Sequence, residues 1–167
     1  MKQIHPMQRW INITKKIYLC GPILSRTTEE ANHWRHQAIN ELQNITHVEE
    51  TGNLKETPLQ ERYKFQCLDP MRRQFSDKDM LGMNEIVQMD KEDVKDADII
   101  LVNYNTARQK TTLCGTAMEI YLAWTLGKYI VCFTDLPKEE WSPWMIYHST
   151  RICKSFTEAI TYIKKHF

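Results

Sequence analysis

DADIILVNY, residues Asp96 to Tyr104, decides the fold. Its centre, Ile99 to Val102, is a short unbroken apolar run, the pattern of a strand covered on both faces, as in parallel sheets. On its amino side apolar residues recur at helical spacing, at Ile86, Met89, Val94 and Ala97. On its carboxyl side a polar loop, NTARQKTTLC, leads into GTAMEIYLAWTLGK. That stretch reads as a helix with apolar residues at Met118, Leu122 and Leu126, and Gly127 suits its C-terminal cap. The core of the sequence is thus helix, strand, helix.

The alternation continues outward. KIYLCGP, Lys16 to Pro22, reads as a buried strand ending in a Gly-Pro turn. From Thr28 to about Leu42 the apolar residues Ala31, Trp34, Ala38 and Leu42 keep helical spacing, with Thr27 or Thr28 as N-cap and glutamates in the first turn. The polar stretch from Gln43 to Arg62, carrying Gly52 and Pro58, reads as a long surface loop. A second strand fits YKFQCLDP, Tyr63 to Pro70, and a fourth fits YIVCFTD, Tyr129 to Asp135. A loop with Pro137 and Pro143, a short strand near Arg151 to Phe156 and a helix from about Thr157 to Lys165 close the chain. This order predicts the α/β class: a doubly wound, five-stranded parallel sheet, flavodoxin-like or Rossmann-like, with helices on both faces. Residues 1–14 read as an N-terminal extension and 15–167 as a single domain.

Composition narrows the function. The 167 residues carry 22 basic and 21 acidic side chains, a net charge of +1. A balance so near neutral argues against a nucleic-acid partner, which needs a concentrated basic face. No apolar run is long enough to cross a membrane, so no membrane partner is expected. The N-terminus, MKQIHPMQRWINITKK, lacks the apolar core of a secretion signal. The five cysteines, Cys20, Cys67, Cys114, Cys132 and Cys153, are scattered without metal-ligand or disulfide spacing and read as buried thiols of a reducing compartment. The expected location is the cytoplasm.

In doubly wound sheets ligands bind beyond the carboxyl ends of the strands, where strand order reverses. That points to the segments 20–26, 69–73 and 103–119. Within them Gly21, Pro22, Asp69, Asn103, Gly115 and Thr116 are the expected substrate-binding residues. Gly115 permits close backbone approach, Thr116 suits an N-cap, and the helix start offers free N–H groups. Glu119 falls in the first turn, facing the crevice, with Tyr18 and Asp90 within reach of the same place. On spacing alone Glu119 also fits a helix-dipole role, Tyr18 a core aromatic, and Asp90, Asp93, Asp96 and Asp98 a solvated helix face. Asp98 suits the turn into the strand. His33, His36 and His148 lack the third partner of a catalytic triad and read as structural or surface residues.

KIYLCGP, LDPMR, the pattern D-x-x-x-V-K-D-A-D-I-I-L-V-N from Asp90, and CGTAMEIYLAWTLGK together resemble the nucleoside 2-deoxyribosyltransferase family, from about Lys16 to Ile163. The resemblance implies Glu119 as nucleophile, Tyr18 as the hydroxyl that orients it, and Asp90 as the residue handling the proton on the base. It implies no metal or organic cofactor, small deoxynucleoside or deoxynucleotide substrates with a free base, and a homodimer or higher homo-oligomer whose subunits complete each other's sites. The chemistry agrees: a carboxylate stabilises an oxocarbenium-like transition state and can form a covalent glycosyl intermediate, while a second carboxyl protonates the leaving base.

Two segments depart from the family pattern. The loop TARQKTTLC offers Arg108 and Lys110 where some members carry an acidic residue, and SPWMIYHSTRIC offers Ser149 and Thr150 where transferases carry an amide or acid. Related 2′-deoxynucleoside 5′-monophosphate N-hydrolases hold a phosphate with hydroxyls and basic groups, so these four residues suit a phosphate. The expected function is base exchange on 2′-deoxyribonucleosides. The alternatives are hydrolysis of a deoxynucleoside monophosphate and a non-catalytic nucleotide-binding module.

Overall fold

A computed structural model describes residues 14–23, 28–43, 65–73, 82–105 and 114–167. The strands are β1 (Lys15–Cys20), β2 (Phe65–Leu68), β3 (Ile99–Asn103), β4 (Tyr129–Phe133) and β5 (Arg151–Cys153). The helices are α1 (Thr28–Leu42), α2 (Met83–Asp96), α3 (Cys114–Thr125), α4 (Pro143–His148) and α5 (Phe156–His166). All four strand pairings are parallel, in the order β2-β1-β3-β4-β5. The expected doubly wound, flavodoxin-like sheet is what forms, and its strand order reverses between β1 and β3.

Strand alternation sorts the core into two halves. Ile17, Leu19, Ile99, Leu101, Val131 and Phe133 pack against Trp34, Ala38 and Leu42 of α1 and Ala159, Ile160 and Ile163 of α5. Tyr18, Cys20, Ile100, Val102, Ile130 and Cys132 face the other way, onto Val94 at the end of α2 and Ile120 and Ala123 of α3. A period of two thus sends Tyr18 and Cys20 to one face together. At the amino end of the sheet the Asp98 carboxylate accepts from the Lys16 backbone N–H at 2.9 Å, tying the start of β3 to β1.

Several local expectations change. The buried stripe of α3 is Thr116, Ile120 and Ala123, whereas Met118 and Leu126 are exposed. This helix is apolar nearly all round, so its sequence alone does not say which face meets the sheet. It starts at Cys114, which makes Thr116 a buried helical residue rather than an N-cap. Its end is as expected: Gly127 has φ +67°, with its N–H on Trp124 O and that of Lys128 on Ala123 O. These two bonds complete a Schellman cap. The helix α4 replaces an expected loop. Ser142 accepts from the Trp144 N–H and Pro143 opens the first turn, an arrangement that Pro favours at a helix start and nowhere further in. The extension 1–14, apart from Thr14, lies outside the described residues, as do nearly all of the 43–62 loop and the side chains of the N-cap candidates Thr27 and Thr28.

Candidate active site

In doubly wound sheets the crevice lies where strand order reverses, here between β1 and β3, and α3 packs beside that point on the face of the sheet that carries Tyr18 and Cys20. Glu119, in the second turn of α3, meets both inward residues of β1. The Tyr18 hydroxyl donates to Glu119 Oε1 at 2.8 Å and the Cys20 thiol to Oε2 at 3.0 Å. The thiol sulfur also lies 3.9 Å from the Thr116 carbonyl oxygen, one turn back on the same helix. Tyr18 and Cys20 are fully buried in the core.

Burial is the largest influence on the Glu119 carboxyl and pushes its pKa up to about 7. The hydrogen bonds from Cys20 and Tyr18 oppose that rise, and the charge of Asp90 adds to it. Burial and then the Glu119 charge raise the pKa values of Tyr18 and Cys20, so both remain protonated donors. A carboxylate held by two neutral donors and partly withdrawn from water is a strong nucleophile at a fixed angle.

Asp90 sits on α2, held by Arg73. The Arg73 guanidinium reaches Asp90 Oδ1 at 2.9 Å and Asp93 Oδ2 at 2.6 Å, while Arg72 pairs with both oxygens of Asp93 at 2.8 and 2.6 Å. Burial raises the pKa of Asp90 above the usual carboxylate value, and Arg73 pulls against it. The arrangement can therefore hold or release a proton near enough to Glu119 for the charges of the two carboxyls to influence each other.

The remaining expected residues divide by place. Gly21 stands in a tight place: a Cβ there would lie 3.0 Å from Trp34 Cζ2 and 3.2 Å from Asn103 Cβ. Pro22 is buried beside it. Asn103 ends β3 and accepts the Asn105 N–H on its side-chain oxygen. Asp69 caps the 3-10 turn Pro70–Arg72 through the Met71 N–H at 2.9 Å and stands 3.6 Å from Arg35 Nε. Gly115 opens on free space, with no described side chain within 4 Å of where its Cβ would be. Ser149 and Thr150 are tied to the fold beneath α4, and the Ser149 hydroxyl lies 3.1 Å from the Cys132 thiol. The chain descends through α4 before entering β5, so Thr150 Oγ1 accepts from the Ile130 N–H at the amino end of β4, and the Ser149 hydroxyl donates to Met145 O. Arg108 and Lys110 lie outside the described residues.

Two residues of the site escaped the sequence reading. Cys20 was indistinguishable from an ordinary buried thiol, although its spacing of two from Tyr18 places it on the same face. Arg35, fully buried, donates to the carbonyls of Gly21 (2.8 Å), Leu19 (3.4 Å) and Ala31, gathering the exit of β1 around one cation. A charged residue in the middle of an amphipathic helix gives no sign of that from its position alone. His148 proves to be a packing residue, its Nδ1 2.7 Å from Trp144 O and its ring edge-on to Trp124. His33 and His36 are exposed.

Beside the crevice, α3 and α4 enclose an apolar groove of about 420 Å³, lined among others by Tyr104, Met118, Tyr121, Trp144 and Met145. Met118, Tyr121, Trp144 and Tyr147 are more than half exposed.

Solved structures share this architecture. A 2-desoxiribosyltransferase from Leishmania mexicana superposes with a TM-score of 0.60 at 21% identity, covering 91% of this chain and 98% of that one. A 2-deoxyribosyltransferase from Bacillus psychrosaccharolyticus gives 0.61 at 18% identity, over 88% and 91%. The CMP N-glycosidase BcmB of Clostridium botulinum gives 0.54 at 14% identity, over 92% and 100%. At these identities the likeness is one of fold. No curated protein sequence is significantly similar to this chain. Residues 17–143, which hold Tyr18, Cys20, Asp90 and Glu119, match the nucleoside 2-deoxyribosyltransferase family model, and the chain belongs to that family of enzymes acting on the N-glycosyl bond.

Proposed function

We propose that the protein exchanges the base of a 2′-deoxyribonucleoside by double displacement at Glu119. The observation that carries this reading is the Glu119 carboxylate, half-buried and held on separate oxygens by Tyr18 and Cys20. Glu119 attacks C1′ of the sugar, the C1′–N bond breaks toward the base, and a proton from Asp90 neutralises the departing nitrogen. The product of this half-reaction is a glutamyl-deoxyribosyl ester. A second base then attacks C1′, gives its proton to Asp90, and releases Glu119. Gly21, Pro22, Asn103, Gly115 and Thr116 shape the crevice around the sugar and base, with Asp69 supporting the exit of β1.

The exposed aromatic face of α3 and α4 supports the self-association part of the reading, since apolar patches of this kind on soluble proteins mark interfaces. The internal hydrogen bonds of Ser149 and Thr150 favour a structural role.

Incubation of a deoxynucleoside with a second free base tests the proposal. A new deoxynucleoside forming faster than free deoxyribose is the expected result. Free sugar alone would mean that water is the acceptor. Binding without turnover would leave a nucleotide-binding module.

The likeness to a CMP N-glycosidase favours keeping a second reading, hydrolysis of a deoxynucleoside monophosphate with Arg108 and Lys110 at the phosphate. It requires kcat/KM to favour the monophosphate, and that preference to fall about tenfold or more in Arg108→Ala/Lys110→Ala, since a charge-assisted contact is worth about 1.5–3 kcal/mol.

A further inference from the structure

We propose that Cys20 is a positioning residue for Glu119, its S–H bond to Oε2 fixing the carboxylate plane that Tyr18 alone would leave free to turn. The inference rests on the reading of Glu119 as nucleophile. It goes beyond that reading by giving one of five otherwise unremarkable thiols a part in the reaction.

Geometry carries it. A carboxylate held at one oxygen can swing about that contact. Held at both, at 2.8 and 3.0 Å, it has a single orientation. Both donors come from one strand at a spacing of two, so the rigidity of β1, the second strand of the sheet order, is passed directly to the nucleophile.

The chemistry of sulfur suits the task. The Cys20 thiol is fully buried, and burial with the adjacent Glu119 charge raises its pKa well above that of a free thiol, so it stays S–H. It is thereby a donor and not a rival nucleophile. A thiol is also a weak donor. It orients Oε2 without quenching the electron density that must reach C1′, and Thr116 O, 3.9 Å from the sulfur, is a second acceptor when that density is withdrawn into the ester.

A packing role and a positioning role predict opposite rankings of two substitutions. If Cys20 only fills space and its contact with Oε2 contributes nothing, Cys20→Ser withdraws a strongly hydrated hydroxyl from water and is the worse variant, while Cys20→Ala is the milder. If Cys20 positions Glu119, Cys20→Ser keeps a donor and Cys20→Ala removes it. The loss of a donor that favours the anion raises the pKa of Glu119.

The experiment is the pH profile of kcat/KM for base exchange, or for base release if water proves to be the acceptor, in wild type, Cys20→Ala, Cys20→Ser and Glu119→Gln. In Cys20→Ala the midpoint nearest pH 7 should move up by about half a unit to one unit and kcat should fall about three- to tenfold, with KM little changed. Cys20→Ser should return the midpoint to its wild-type place. Unmoved midpoints in both variants, or Ala more active than Ser, overturn the inference.

A second reading needs no turnover and no stable variant at position 20. The S–H stretching band of the wild-type protein should contain a hydrogen-bonded component that shifts toward the free position in Glu119→Gln, where only the long contact to Thr116 O remains. Its absence overturns the contact itself. The two proposals fail separately: a fully active Glu119→Gln removes the nucleophile reading and Cys20's role with it. A dead Glu119→Gln beside a wild-type-like Cys20→Ala removes only the role of Cys20.

Discussion

The Tyr18 hydroxyl and Glu119 Oε1 stand 2.8 Å apart although 101 residues separate them in the chain. The bond joins the inner face of β1 to a helix packed on that same face of the sheet. Its length and, above about pH 7, its ionised acceptor put it among the stronger hydrogen bonds of proteins.

Tyr18→Phe should therefore lower kcat by about ten- to a hundredfold, the loss expected for a hydrogen bond to a charged group. The ring packs in the core on the same face as Ile100 and Val102, and that packing is kept. The melting temperature should change by no more than a few degrees. Steady-state kinetics beside a thermal melt decide the matter. Unimpaired turnover in the Phe variant would leave orientation of Glu119 to Cys20 and the helix alone.

Gly21→Ala should destabilise the fold by about 1–3 kcal/mol, the usual cost of overpacking. The added methyl would meet Trp34 Cζ2 at 3.0 Å and Asn103 Cβ at 3.2 Å, and Trp34 is itself wedged edge-on against Phe133. Trp34 packs in the core between α1 and the sheet and Asn103 ends β3, so relief of the clash moves α1 or the end of β3. Urea denaturation measures the loss. A variant as stable as the wild type would mean that the exit of β1 shifts freely.

Arg35→Leu tests the cation that gathers that exit. Arg35 is wholly buried, and the carbonyls of Gly21 and Ala31 take their side-chain donor from it. Removing one partner of a buried charged network costs about 3–5 kcal/mol, because the groups left behind stay dry and unpaired. Asp69, 3.6 Å from Arg35 Nε, would lose its nearest cation. If Arg35→Leu melted at the wild-type temperature, the network would contribute specificity and no stability.

The sheet was legible because each strand is a short apolar run between punctuating residues, and because the helices between them forced a parallel arrangement. Glu119 and Tyr18 were legible through the family motifs around them, and the crevice through the rule for strand order. What stayed hidden depended on the third dimension. The short helix α4 lies behind Pro143, which reads as a helix breaker unless Ser142 is recognised as the cap before it. After that helix Thr150 bonds the Ile130 N–H near the amino end of β4, while the Ser149 hydroxyl meets Met145 O and the Cys132 thiol, and their place in the linear sequence gave no warning of it. The stripe of α3 was misread because Met118 and Leu126 are as apolar as Ile120, and only packing chooses among them.

The burial that prepares Glu119 for reaction works against the stability of the fold. The folded chain keeps a proton on Glu119 up to about pH 7, whereas the unfolded chain releases it near 4.5. Between those values the native state binds more protons than the unfolded state, so stability falls as pH rises. Below 4.5 both states are protonated and the penalty vanishes, and above 7 it is complete. Glu119→Gln keeps the shape and an acceptor for Tyr18 but does not titrate. The variant should therefore gain on the wild type by roughly 2–3 kcal/mol between pH 4.5 and pH 8, at 1.36 kcal/mol for each pH unit. In a domain of this size that is a widening of the Tm difference by roughly 5–10 °C. Thermal melts of both proteins at pH 4.5, 6 and 8 measure it. A constant difference would show that Glu119 ionises as easily in the fold as in the open chain, and its nucleophilicity would then have to come from orientation alone.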